Sequence, residues 1–153
     1  MNHLTADPRG LIVLCPSCSQ ANRMIYRQWE AVTRCGRCKA ELVRPAVVVE
    51  VRDPASFGSL VAEVPCPVFV DFWAPWCGPC RSVAPEIERL AALMGNQALI
   101  VKVNTEEVPE VAALHRIQSI PTFVVFRGGL EVSRTSGAMS ASRLREFIVQ
   151  AAE

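Results

Sequence analysis

The sequence predicts an α/β fold preceded by a small cysteine-rich module. Three observations lead to that prediction. From residue 46 onward, β-branched and apolar runs (46–51, 68–74, 98–104, 122–126 and 130–135) alternate with segments whose apolar residues recur at helical spacing. The run at 68–74 leads straight into Trp76-Cys77-Gly78-Pro79-Cys80, and a helical pattern follows. Before all of this, Cys15, Cys18, Cys35 and Cys38 stand in a Cys-x2-Cys-x16-Cys-x2-Cys pattern.

A chain of 153 residues fits one ordinary domain, or one plus a small module. Half of it is apolar, enough for a sizeable core, and the net charge of +1 points neither to nucleic acid nor to an anionic membrane. No apolar run approaches the length that spans a bilayer. The first ten residues carry no basic start followed by an apolar core, so a cytoplasmic protein is expected. In that reducing setting seven cysteines point to metal binding or redox chemistry rather than to a structural disulfide framework.

The module is placed at residues 1–44. The spacing of Cys15, Cys18, Cys35 and Cys38 lies in the range of four-thiolate zinc sites, with one ion held by two tight knuckles. Two unrelated cysteine pairs, two local disulfides, or iron in place of zinc, are the alternatives. Pro16 and Gly36 suit such turns. So short a segment cannot bury a stabilising core alone, so metal binding would supply folding energy. Met24, Ile25, Tyr26 and Trp29 are its apolar packing residues. Arg23, Arg27, Arg34, Arg37 and Lys39 make it basic, yet they also offset thiolate charge, and nucleic acid is not expected as a partner. No element is assigned before Cys15, and His3 reads as a solvated side chain.

The second domain is placed at residues 45–153. Pro45 marks the boundary and 46–51 is its first strand. Asp53 reads as an N-cap with Pro54 at the first helical position; Phe57, Leu60, Val61 and Val64 give that helix its buried face. Pro65 and Pro67 end it, and Cys66 between them reads as a small structural residue. The strand at 68–74 should be buried on both faces. Val83, Ile87, Leu90 and Met94 mark the next helix, with Pro85 inside it. Pro109 starts a short helix that runs through His115, read as a surface or satisfied residue and not a base. Arg127-Gly128-Gly129 joins two strands as a hairpin. Ser140 caps the last helix, whose buried face is Ala141, Leu144, Phe147, Ile148 and Ala151.

The chemistry centres on Cys77 and Cys80. The attacking species in thiol–disulfide exchange is the thiolate, and a helix N-terminus lowers a thiol's pKa to about 7 in sites of this kind. Gly78 permits the turn, and Pro79 fits a first helical turn that needs no N–H. Asp71 interrupts an otherwise apolar strand. Burial would raise its pKa and leave a carboxyl able to take the second thiol's proton near neutrality.

These residues resemble the thioredoxin family. The resemblance rests on Val70-Asp71-Phe72-Trp73-Ala74-Pro75 before Trp76-Cys77-Gly78-Pro79-Cys80, on Ser119-Ile120-Pro121-Thr122, and on Ser136-Gly137-Ala138. With the cysteine-rich module in front, the chain resembles the zinc-containing thioredoxin 2 type, although the lead before Cys15 is longer than expected there. The resemblance implies a thioredoxin fold, a five-stranded mixed sheet flanked by four helices, after a zinc ribbon-like module. It implies Cys77 as nucleophile, Cys80 as resolving thiol, Asp71 as proton acceptor and Lys102 as the cation beside Asp71. It further implies a cis Ile120–Pro121 bond facing the cysteines. Trp76, Gly78, Pro79, Ile120, Pro121, Gly137 and Ala138 would form the substrate-docking face.

The expected activity is protein-disulfide reduction by a monomer. Its partners would be disulfide-containing proteins and a thioredoxin reductase. The alternatives are an oxidase or isomerase of the same fold, or a zinc-ribbon adaptor.

Overall fold

The computed structural model describes residues 3–153, so residues 1 and 2 of the N-terminal lead lie outside it. In chain order the strands are β1 (Leu4–Ala6), β2 (Gly10–Leu14), β3 (Ala21–Ile25), β4 (Thr33–Arg34), β5 (Glu41–Leu42), β6 (Val49–Val51), β7 (Val68–Trp73), β8 (Leu99–Asn104), β9 (Thr122–Arg127) and β10 (Leu130–Ser136). The helices are α1 (Pro54–Glu63), α2 (Gly78–Met94), α3 (Pro109–Leu114) and α4 (Ala141–Ala152), and a 3-10 turn spans Tyr26–Gln28.

The expected five strands form a mixed sheet in the order β10-β9-β7-β8-β6, with β7 and β9 antiparallel and β6, β8 and β7 parallel. Asp53 caps α1 by accepting from Ser56 N at 2.8 Å, with Pro54 in the first turn. β7 is central: Val68 to Phe72 are all buried, as a strand covered on both faces requires. On one face α1 and α3 cover Val68, Val70 and Phe72. On the other, α2 and α4 cover Phe69, Ile100 and Phe123, with the two phenylalanine rings stacked at 5.4 Å.

The sheet does not stop at β6. β1 adds to it in parallel, and β2 and β3 continue antiparallel, so the lead before Cys15 forms strands. The cause is the outer edge of β6, a row of unpaired backbone groups that β1 covers, starting with Leu4 N to Val48 O at 2.9 Å. Leu4, Leu11, Val13 and Tyr26 join the apolar layer of Val49, Val51, Phe57 and Leu60. His3 is correspondingly not solvated; its ring is held between Glu50 and Glu88. His115 is half-buried at the margin of the core, with ring centroids 5.4 Å from Phe57 and 5.1 Å from Phe126. Its burial lowers its pKa.

Candidate active site and metal centre

Cys77 is the N-cap of α2, with extended φ and ψ of −81° and 115°. Strand β7 delivers it there through Trp73 and a short turn. Its sulfur is joined to Cys80 in a disulfide, with Cα atoms 5.2 Å apart. The N–H of Cys80 points at Cys77 Sγ, 3.2 Å away. The same free N–H groups of the first turn would face a Cys77 thiolate. Both sulfur-bearing residues are nearly covered, at 4% exposure each, while Trp76 beside them is 64% exposed. Gly78 and Pro79 are exposed too.

A second loop closes on the sulfurs from β9. The Ile120–Pro121 bond is cis, and the carbonyl oxygen of Ile120 lies 3.8 Å from Cys77 Sγ. A third loop follows β10: Gly137 N donates to Pro121 O at 3.0 Å. Gly137 has φ of +91°, which a side chain would strain, and the space beside it is open. Gly137 and Ala138 are exposed next to the proline loop. The structure thus brings the three segments singled out in the sequence to one pole of the sheet.

Asp71 is 1% exposed, and its Oδ1 has no hydrogen-bond partner among the described residues. Strand alternation puts it on the face with Phe69, beneath α2. Burial pushes its carboxyl up to about 7, against the opposing pull of Lys102. Lys102 is directly opposite in register on β8. Its ammonium lies over the Trp73 ring, 4.4 Å from the centroid.

Trp73 and Glu106 belong to the site although sequence reasoning assigned them no role. Trp73, like Ile120, packs against the buried cluster of Ala74, Cys77 and Cys80. Its signal was its position two residues after Asp71 in an alternating strand, which puts both on one face. Glu106 accepts from Trp76 Nε1 at 2.6 Å. It follows β8 in a turn, and no local spacing pairs it with Trp76.

At the other end of β2, the four cysteines of the module converge with all sulfurs within 4.8 Å of one another. The two knuckles repeat one backbone plan. Cys15 N bonds Gln20 O and Ser19 N bonds Cys15 O; Cys35 N bonds Ala40 O and Lys39 N bonds Cys35 O. Ser19 and Lys39 both take φ of 65°. The N–H groups of Cys38 and Arg37 hold the Cys35 thiol down at about 6, against the cost of burial. Four thiols arranged this way fit a closed, tetrahedral, four-thiolate metal site. Together they can hold one ion.

An open sheet with a Cys-x-x-Cys disulfide at a helix N-terminus, a cis-proline loop beside it and a buried carboxyl behind it defines a thiol–disulfide oxidoreductase. The thioredoxin family model matches residues 47–150. Thioredoxin 1 of Synechococcus elongatus is 46% identical over 99 residues, covering 65% of this chain and 92% of its own. Thioredoxin C-3 of Corynebacterium nephridii is 31% identical over 140 residues, covering 92% of this chain and 94% of its own. Among solved structures, Plasmodium falciparum thioredoxin superposes with a TM-score of 0.61 at 36% identity, covering 66% of this chain and 96% of that one. The chain belongs to the thioredoxin family. Among the described residues no helix is long and apolar enough to cross a membrane.

Proposed function

We propose that the protein is a cytoplasmic protein-disulfide reductase of the zinc-containing thioredoxin 2 type, working as a monomer. The observation that carries this reading is the Cys77–Cys80 pair at the start of α2, with a backbone N–H aimed at Cys77 Sγ beneath an exposed tryptophan. Such a donor favours the thiolate form of Cys77 in the reduced protein.

The Cys77 thiolate attacks one sulfur of a substrate disulfide. A Cys77–substrate disulfide forms and the other substrate sulfur leaves as a thiolate, which takes a proton from water. Cys80 then gives its proton to the Asp71 carboxylate and attacks Cys77 Sγ. The second substrate thiolate departs and is protonated. Two electrons and two protons have passed to the substrate, and the protein is left with the Cys77–Cys80 disulfide. A thioredoxin reductase, a flavoenzyme drawing on NADPH, returns two electrons and restores the dithiol. Lys102 partly offsets the charge of Asp71 when it ionises.

Trp76, Gly78, Pro79, Ile120, Pro121, Gly137 and Ala138 serve as the docking face, where an extended segment of a disulfide-containing protein pairs with exposed backbone of the proline loop. We divide the chain into a metal module at residues 1–44 and a redox domain at 45–153, with β1, β2 and β3 of the module extending the redox domain's sheet. Cys15, Cys18, Cys35 and Cys38 hold one zinc ion, which organises the knuckles and leaves no open coordination position for chemistry. Oxidation of these thiolates would release the metal.

Insulin-disulfide reduction by wild type and by Cys77→Ser tests the reading, together with the redox potential. A Cys77-dependent rate and a potential near about −270 mV are expected. Equal rates for both proteins, or a potential above about −200 mV, would remove the reductase.

A further inference from the structure

The N-terminal strand connects to the row of side chains that ends at Asp71. Glu50, Lys102 and Asp71 are direct neighbours in register across β6, β8 and β7. All three are on the sheet face covered by α2. β1 joins the outer edge of β6 with Thr5 opposite Glu50, and His3 follows on the same face. His3 Nδ1 lies 2.8 Å from Glu50 Oε1, and its Nε2 contacts Glu88 Oε1 on α2. Arg52 donates to the other oxygen, Glu50 Oε2, at 2.7 Å.

Each oxygen of Glu50 thus has its own partner. Burial pushes the Glu50 carboxyl up, but the hydrogen bonds from Arg52 and His3 outweigh it and hold it below the ordinary range. Glu50 is an anion fixed in place. Between it and Lys102 is a cavity of about 20 Å³, lined also by Arg52, Trp73, Asn104 and Glu107. That is room for one water. Lys102 makes no ion pair among the described residues; its strand runs between those of Glu50 and Asp71, and its ammonium lies over the Trp73 ring.

We propose that Glu50 is a positioning residue of the redox site: clamped by His3 and Arg52, it attracts Lys102 from one side and weakens the hold of Lys102 on Asp71 from the other. The proposal rests on the reading of Asp71 as the proton acceptor for Cys80. By drawing the Lys102 ammonium toward itself, Glu50 keeps it farther from Asp71, and the attraction between two charges falls with their separation. Glu50 therefore helps keep Asp71 able to bind a proton near neutrality. The charged and titratable groups facing this row are Glu50 and Arg52 on or after β6, His3 before β1, Glu88 on α2, Glu107 after β8 and the Cys77–Cys80 pair. Only Glu50 is both held as an anion from two sides and in register with Lys102. The N-terminal segment of His3 and β1 is in this way part of the redox apparatus and not only an edge cover.

The test is a carboxyl-detected NMR titration of Asp71 in the oxidised protein, in which neither active-site cysteine titrates. In Glu50→Gln, Asp71 should bind its proton at least about threefold more weakly, a modest effect for a neighbouring cation freed to approach it. Glu50→Asp, which keeps the charge, should titrate like wild type. In a Lys102→Met background, adding Glu50→Gln should leave Asp71 nearly unmoved. An unchanged or raised Asp71 titration in Glu50→Gln overturns the proposal. So does an equal drop in Glu50→Asp, which would mark a loss of strand packing. So does an equal drop with and without Lys102, which would mean Glu50 does not act through it. Failure of the reductase reading would appear in the insulin assay and leave this titration unaffected.

Discussion

Asp71 and Lys102 face each other across adjacent parallel strands, yet the Lys102 ammonium rests over Trp73, 4.4 Å from the ring centroid. The carboxyl is left buried, with Oδ1 unpartnered among the described residues. Burial dominates and pushes the pKa up to about 7 from the ordinary aspartate value of 3.8. The sign of the stability effect follows. The native state binds this proton more tightly than the unfolded chain, so folding is favoured most below about pH 4 and loses stability as pH rises toward 7. Asp71→Asn removes the titrating group. Urea unfolding of the oxidised variant should show a gain over wild type at pH 8, with an upper bound of roughly 4 kcal/mol. At pH 3.5 that gain should vanish. An equal gain at both values would mean that the charge of Asp71 is not its cause.

The two cysteines should fail in different ways. Cys77→Ser should lose disulfide reduction altogether, because the attacking sulfur is gone. Cys80→Ser should still attack, then stall as a mixed disulfide that intact-mass measurement detects. Asp71→Asn should leave the first step nearly unchanged and slow release of the trapped substrate by about 100-fold near pH 7, the low end for loss of a positioned proton acceptor. Single-turnover kinetics separate the two steps. A Cys80→Ser protein that turns over normally would remove the assigned order of attack.

Much of this site could be read in the sequence because its parts announce themselves locally. The β7 run, the Trp76-to-Cys80 turn, the α2 pattern and the Asp53-Pro54 cap each depend on residues within a few positions of one another. β1 and β2 could not be read in this way. Leu4–Ala6 is three residues long and has no amphipathic pattern of its own. It is a strand because β6 leaves an edge open some 45 positions later in the chain. His3 was misread for the same reason, since its partners Glu50 and Glu88 lie 47 and 85 residues away. Trp73 was visible as a strand residue, but its contact with Lys102 exists only after β7 and β8 pair. Glu106 meets Trp76 through a turn that no periodicity marks.

Metal removal should act on the module first. The knuckles hold four thiols within 4.8 Å and put two residues at positive φ, while the apolar cluster there is only Cys15, Cys35 and Leu42, with Cys18 and Ala40 at its margin. So few buried groups cannot order the segment, and binding energy would have to do so. A strong chelator, or Cys35→Ser, should release about one equivalent of zinc to an indicator dye. Hydrogen exchange should then quicken across β4 and β5 while β7 and β8 stay protected. Retention of slow exchange in β4 and β5 without metal would show that the knuckles fold unaided.

Gly10 is the tightest point of the N-terminal strands. Asp7 Oδ1 accepts from Arg9 N at 2.8 Å and from Gly10 N at 2.9 Å, closing the turn between β1 and β2. The Tyr26 hydroxyl locks it by donating to Asp7 O at 3.0 Å. Gly10 then runs directly opposite Ile25 on β3, so close that an added Cβ would sit 2.3 Å from the backbone oxygen of Met24. That neighbour is backbone and cannot swing aside, so β3 would have to shift away from β2. Gly10→Ala should therefore lower stability by about 1–3 kcal/mol, the usual cost of overpacking. For a chain of this size that is a fall in Tm of a few °C per kcal/mol, on the order of 5 °C. Gly58→Ala is the matched control. Gly58 lies inside α1 with nothing within 4 Å of the new methyl, so the same substitution should stabilise by about 0.5–1 kcal/mol through helix propensity. Opposite shifts in Tm for these two glycines would place the strain at the β2–β3 approach. A Gly10→Ala protein as stable as wild type would mean that β3 yields freely and is not fixed to the sheet.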